Sequence, residues 1–290
     1  MIAVFKREFR SYMKSMYGYL FIALLLLFSG AMLFTYNLMG RGADIASSMT
    51  YVGSSLLVLI PLLSMRSMAE DKHLKMDMFL LSLPIKPMAV ILGKYLAMLA
   101  VYAIPMGIMC LYPLILGMYG SLNYGHAYLV LLGLFLLGAA LLAVGQFVSS
   151  LTENQVISAI SGIGTMLLLY FLSTIAYLLP ISALCSFICL VVMAVLLALV
   201  AFWMTRNLNI ALVTAAVLIV PVSLLYTFFS KYFAGVIQVI LYLCSPFVSF
   251  STFAGGTLDL SCIVQLLSYV VFFVFLTFLT HRITDRKRWG

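Results

Sequence analysis

Three histidines, five cysteines, eight acidic side chains and a cluster of methionines are the residues from which this chain could assemble chemistry. His73, His126 and His281 sit in separate polar turns, and the order of the apolar runs puts His126 on the opposite side from the other two, which excludes a metal site joining all three. Cys110, Cys185, Cys189, Cys244 and Cys262 each lie in an apolar stretch with no CxxC spacing, and read as small packing residues. Met65, Met68, Met76, Met78 and Met88 could offer thioethers to Cu(I), but pliable packing against a partner explains the same residues. Gly93-Lys94 resembles the end of a phosphate loop, yet Met88 and Tyr95 stand where that loop needs Gly and Ser or Thr. There is no HExxH and no GxSxG. Glu8, Asp44, Glu70, Asp71, Asp77, Glu153, Asp259 and Asp285 all fall in turns, tails or the ends of apolar runs, whereas ion-coupled carriers need ionisable groups or broken helices at mid-membrane. The residues therefore predict a chain that is not an enzyme, that holds no cofactor and that does not power itself.

The elements around these residues follow from composition. The 290 residues are 65% hydrophobic and 8% charged, with mean hydropathy +1.20; soluble domains carry roughly 25% charged residues. So little polar surface cannot cover a water-soluble fold of this size. The apolar runs are long and continuous, as helical spans of about 20 residues require, and lack the alternation of barrel strands. The fold class expected is an all-α polytopic membrane protein. Its spans are placed at about residues 18–38, 49–64, 91–118, 127–149, 156–179, 181–204, 210–229 and 260–280, eight in all. Residues 1–17 read as an amphipathic interfacial helix, with Phe5, Phe9, Tyr12, Met13 and Met16 on one face and Lys6, Arg7, Arg10 and Lys14 on the other. The first span is read as retained rather than as a cleaved signal. Residues 233–256 are interrupted by Pro246 and Gly255-Gly256, and the apolar stretch before that proline is too short to cross; they read as a hairpin dipping into the outer leaflet. With the N-terminus inside, 14 of the 16 Lys and Arg residues are cytoplasmic and only Arg41 and Lys231 are outside, a positive-inside bias. That bias accounts for the net charge of +8, so a nucleic-acid partner is not needed.

The most polar interior stretch is residues 65–94, which holds Arg66, Glu70, Asp71, Lys72, Lys75, Asp77, Lys86 and Lys94. Such an island between hydrocarbon runs is expected to sit in water or against a soluble protein. Residues 70–81 can form a short helix with Leu74, Met78 and Leu81 on one side, stopped by Pro84 and Pro87; an amphipathic helix held between two spans suits a groove on another chain. Glu70, Asp71, Lys72, Lys75 and Asp77 would orient the docking. The turn SSLTENQ follows the fourth span, and Thr152 with Gln155 matches a capping box, which predicts that Thr152 starts the next helix.

These segments, together with the tail from SPFVSF to DRKRW, resemble the permease subunit of type-2 ATP-binding-cassette (ABC) transporters, in particular the gliding-motility and nitrous-oxide-maturation-like branch. The resemblance implies one permease domain over residues 1–290, with 1–17 as the elbow helix, 65–94 as a coupling loop and 233–256 as the re-entrant hairpin. It implies that residues 70–81 seat on a separate ATPase, with Thr152, Glu153 and Gln155 as a second, smaller contact. Two permease chains, identical or paralogous, would pair above two ATPase subunits that carry the ATP and Mg, in a bacterial cytoplasmic membrane with both termini inside. The usual pattern has six spans, so residues 181–229 look like an inserted pair. The aromatic, nearly uncharged spans suit export of an amphipathic peptide, or next a lipid. The rival readings are a non-transporting membrane anchor or assembly factor and an ion-coupled carrier.

Overall fold

A computed structural model describes residues 1–40, 44–73, 87–118, 122–205, 217, 223, 226 and 233–289. Among these the chain is helical: α1 (Ile2–Lys14), α2 (Met16–Leu33) continuing as a π-helical stretch (Phe34–Met39), α3 (Ile45–His73), α4 (Pro87–Met109), α5 (Tyr112–Gly117), α6 (Tyr124–Leu151), α7 (Gln155–Leu178), α8 (Ala183–Thr205), α9 (Val236–Leu243), α10 (Pro246–Ala254) and α11 (Leu260–Trp289). Six helical stretches among the described residues are long and apolar enough to cross a membrane: Met16–Met39, Ile45–Lys72, Pro87–Gly117, Tyr124–Leu151, Gln155–Leu178 and Leu260–His281. They match the expected first five spans and the last. The expected sixth span coincides with α8, while most of the expected seventh lies outside the described residues.

The chain divides into two compact units, Met1–Leu169 with Pro246–Gly290, and Tyr170–Ser245. In the first unit α6 is the central helix, packed by α3, α4, α10 and α11. Its small residues explain this position. Ala139, Ala140, Ala143 and Gly145 let neighbours approach, as helix packing in lipid requires. A side chain at Gly138 would overlap the buried Tyr102 ring of α4, and one at Gly133 would meet Phe253 Cβ of α10 at 2.7 Å. Tyr95 and Tyr102 of α4 donate to the Ala139 and Leu134 carbonyls of α6 at 3.0 and 2.8 Å. Ala140 of α6, Phe253 of α10 and Leu266 of α11 form one buried cluster. The amphipathic helix expected at the start is α1, which packs on α4 and on the start of α2. Ser15 takes an extended conformation (φ −92°, ψ 152°) and separates it from α2. Gly18 has no Cβ, and the Tyr12 carbonyl occupies the space one would fill.

One end of this unit gathers the start of α3, the start of α6 and the turn after α10. The Asp44 carboxylate accepts from the Ala46 amide at 3.0 Å and lies 3.7 Å from His126 Nε2, and a Cβ on Gly256 (φ 82°) would reach His126 Nδ1 at 2.6 Å. The opposite end holds α1, the end of α3, the start of α4 and the end of α6.

The second unit contains the segment read as an inserted pair. Within it, Gln238 of α9 donates to the Leu179 carbonyl at 2.6 Å, and Tyr226 stacks on Phe187 with centroids 4.5 Å apart. The region expected as a hairpin is built as α9 and α10, separated by Cys244 and Ser245. All five cysteines are free.

Candidate functional site: the charged end of the bundle

Several sequence expectations change at this end. The second span, expected to stop near residue 64, continues as helix through His73. Residues 65–73 are therefore the last turns of α3, and Met68 and Ala69 among them are buried. Glu70–His73 likewise belong to α3 and do not begin a separate short helix. The reason lies in how neighbours satisfy the α3 backbone. Ser149 Oγ of α6 accepts from the Met68 and Ala69 amides at 3.2 and 3.1 Å and donates to the Met65 carbonyl at 3.2 Å. It thus stands across one rung of the α3 ladder. Arg66 and Glu70 add an ion pair one turn apart.

A second change concerns Lys94. Expected on the watery island, it is 2% exposed in α4. Its ammonium meets the Asp71 carboxylate of α3 at 2.6 Å, Glu8 of α1 at 3.5 Å and the Ser67 carbonyl at 2.7 Å. A buried ammonium survives only where such partners replace its hydration. Three helices thereby share one charge. Beside it, Gln146 of α6 donates to the Ile91 carbonyl at 3.0 Å. Tyr12 of α1 reaches the Leu63 carbonyl at 3.4 Å; burial, with the Glu8 charge adding to it, pushes its phenol pKa well above the ordinary value.

Of the residues expected to couple to an ATPase, Glu70 pairs with Arg66, Asp71 with Lys94, and Lys72 donates to the Ser150 carbonyl at the end of α6. Leu74, Lys75, Asp77, Met78 and Leu81 lie outside the described residues. Thr152 does not start a helix. It is the C-cap of α6 in extended conformation (φ −121°, ψ 155°). The cap of α7 is Asn154, whose Oδ1 accepts from the Val156 amide at 2.9 Å, and Gln155 is the first α7 residue. Asparagine is as strong an N-cap as the hydroxyl residues, and here it stands next to the helix. Glu153 is exposed in the turn. Since Lys72 bonds to Ser150, the end of α3 and the 152–155 turn issue from the same end of the unit.

Sequence reasoning missed Lys94, Glu8, Ser149 and Gln146. One signal was available: Glu8 is the single acid among Lys6, Arg7, Arg10 and Lys14, which asks for a partner beyond its own helix.

A cleft of about 300 Å³ opens against this knot, lined by Arg7, Glu8, Ser11 and Tyr12 of α1 and Arg66, Glu70 and Asp71 of α3. A separate, apolar groove of about 410 Å³ is lined by Met1, by Ile2 and Phe5 of α1, by four residues of α4 and by Phe135.

The bundle of long apolar helices with its few charges held at the ends defines a multi-pass membrane protein. The family model described as ABC-2 family transporter protein matches residues 43–220, more than half of the chain, and so the chain belongs to this family. No curated protein matches it. As an ABC-2 permease it is the membrane component of a transporter, a component that is generally not itself catalytic and that associates with an ABC ATPase.

Proposed function

We propose that the chain is the permease of an ATP-driven exporter of the gliding-motility and nitrous-oxide-maturation-like branch, moving an amphipathic peptide out of a bacterial cytoplasm. In this reading both termini and the charged end of the bundle face the cytosol. The segment that follows α3, residues 74–81, docks on the ATPase, and Thr152, Glu153 and Gln155 add a lesser contact. Two permease chains pair above two ATPases, which carry the ATP and Mg, and residues 233–256 dip into the outer leaflet.

The observation that carries this reading is the bond between Lys72 and the Ser150 carbonyl. It ties the helix that leads into residues 74–81 to the helix that leads into the 152–155 turn, so that one partner beneath could touch both. The polar knot around Lys94 supports the same reading, because it links the elbow helix α1 to that end and gives displacement there a path into α4. The nearly uncharged spans favour an amphipathic cargo over an ion or sugar.

The test is co-purification with the ATPase. Leu74→Asp with Met78→Asp is expected to release the ATPase while the permease still inserts and keeps its melting temperature; retention of the ATPase by this variant would refute the docking assignment. ATPase activity that rises when reconstituted permease meets its peptide supports transport, and binding without stimulation supports a mere anchor.

A further inference from the structure

The cleft beside the knot is balanced in charge. Arg7 and Arg66 line it with Glu8, Glu70 and Asp71, and Lys94 compensates the third carboxylate from behind. A field of this kind gives no advantage to a net anion or a net cation. It suits a ligand that carries both signs a few ångströms apart. We propose that the cleft holds a phosphoethanolamine group, the headgroup of a zwitterionic phospholipid, with its phosphate on Arg7 and Arg66 and its primary ammonium on Glu70 and Asp71.

Several observations converge on this. The volume of about 300 Å³ is at the small end for ligand sites and suits a headgroup, not an entire lipid. Arg66 gives only Nε to Glu70, and its guanidinium lies over the Tyr17 ring at 5.6 Å. Among the described residues no hydrogen bond engages its terminal nitrogens, a fork well matched to phosphate oxygens. Arg7 pairs with the adjacent Glu8 at 2.6 Å while its own side chain is 44% exposed. Glu8 also meets the Lys94 ammonium at 3.5 Å, so Arg7 can turn to a phosphate without leaving that carboxylate unpaired. Ser11 adds a hydroxyl on the exposed side. The setting also fits. The amphipathic α1 and the aromatic Tyr17 at the start of a span are features of the headgroup layer. The inference rests on the interfacial position of α1 in the function proposed above.

The experiment is native mass spectrometry of the full permease released from nanodiscs of mixed phosphatidylethanolamine and phosphatidylglycerol. The wild type is expected to retain phosphatidylethanolamine preferentially. Arg66→Gln should lower that retention about tenfold, the loss of a charge-assisted bond pair, and Arg66→Lys should restore part of it. Ser11→Trp, on an exposed position, fills the cleft without touching the core and should act like Arg66→Gln. Equal retention of both lipids by the wild type, or unchanged retention in Ser11→Trp and Arg66→Gln, overturns the proposal. Soluble glycerophosphoethanolamine is added in a parallel arm. Displacement of the lipid identifies the headgroup alone as the ligand, and persistence of the lipid assigns the site to the membrane-embedded molecule. ATPase co-purification measured on the same samples separates the two readings: lost lipid with retained ATPase concerns this site only.

Discussion

Lys94 sits within an otherwise apolar stretch, yet it is the residue on which α1, α3 and α4 converge. Its contribution depends on whether partners are removed singly or together. Lys94→Met leaves the Asp71 and Glu8 carboxylates facing a protein interior, which costs about 3–5 kcal/mol when one member of a buried pair is deleted. The expected outcome is a clearly lowered melting temperature of the detergent-solubilised protein. Adding Asp71→Leu to Lys94→Met should recover most of the loss, because the remaining surfaces are apolar and Glu8 keeps Arg7. A Lys94→Met variant as stable as the wild type would show that the ammonium is not the centre of the knot. Nothing in the composition around residue 94 reveals this role: Gly93 and Tyr95 look like any span entry. The partners come from residues 8 and 71, and only tertiary packing brings them together.

Among the elements, the spans were readable because crossing a hydrocarbon layer demands length and apolarity, both of which are linear properties of a sequence. Helix ends were less so. The capping-box pattern at Thr152 and Gln155 is genuine as a pattern, but Asn154 makes the bond to the α7 amide. Asn154→Ala should therefore destabilise the helix start by about 1 kcal/mol, whereas Thr152→Ala should be near neutral; thermal unfolding of the two variants side by side decides between the caps. The end of α3 differs from the sequence expectation for a related reason. Charges at Arg66, Glu70, Asp71 and Lys72 look like a departure from the membrane, yet each has its partner one turn away or on a neighbouring helix. A polar residue signals water only when no protein group is available to replace it.

At the scale of the whole molecule, the basic residues and the two polar ends of the first unit make a prediction about sidedness. In a cysteine-free background, Arg10→Cys in α1 should react with an impermeant maleimide only after cells are permeabilised. Thr257→Cys, in the exposed turn after α10, should react in intact cells. The reverse pattern would invert the topology and with it the proposed place of the ATPase. The composition alone was enough to recognise a membrane protein, and the order of the polar segments was enough for its family. The division into two units, with Tyr170–Ser245 forming a unit of its own, was not visible in hydropathy, since both units share the same greasy character.

The Ser149 hydroxyl that reaches across the Met65–Ala69 rung has a mechanical meaning. With Lys94 grasping the Ser67 carbonyl two residues further on, the last turns of α3 are laced into their neighbours as a plank is nailed to its joists. A tug on the chain leaving His73 is then shared by three helices at once. Such a load would fall on the whole floor of the bundle, where a free-standing rod would only bow.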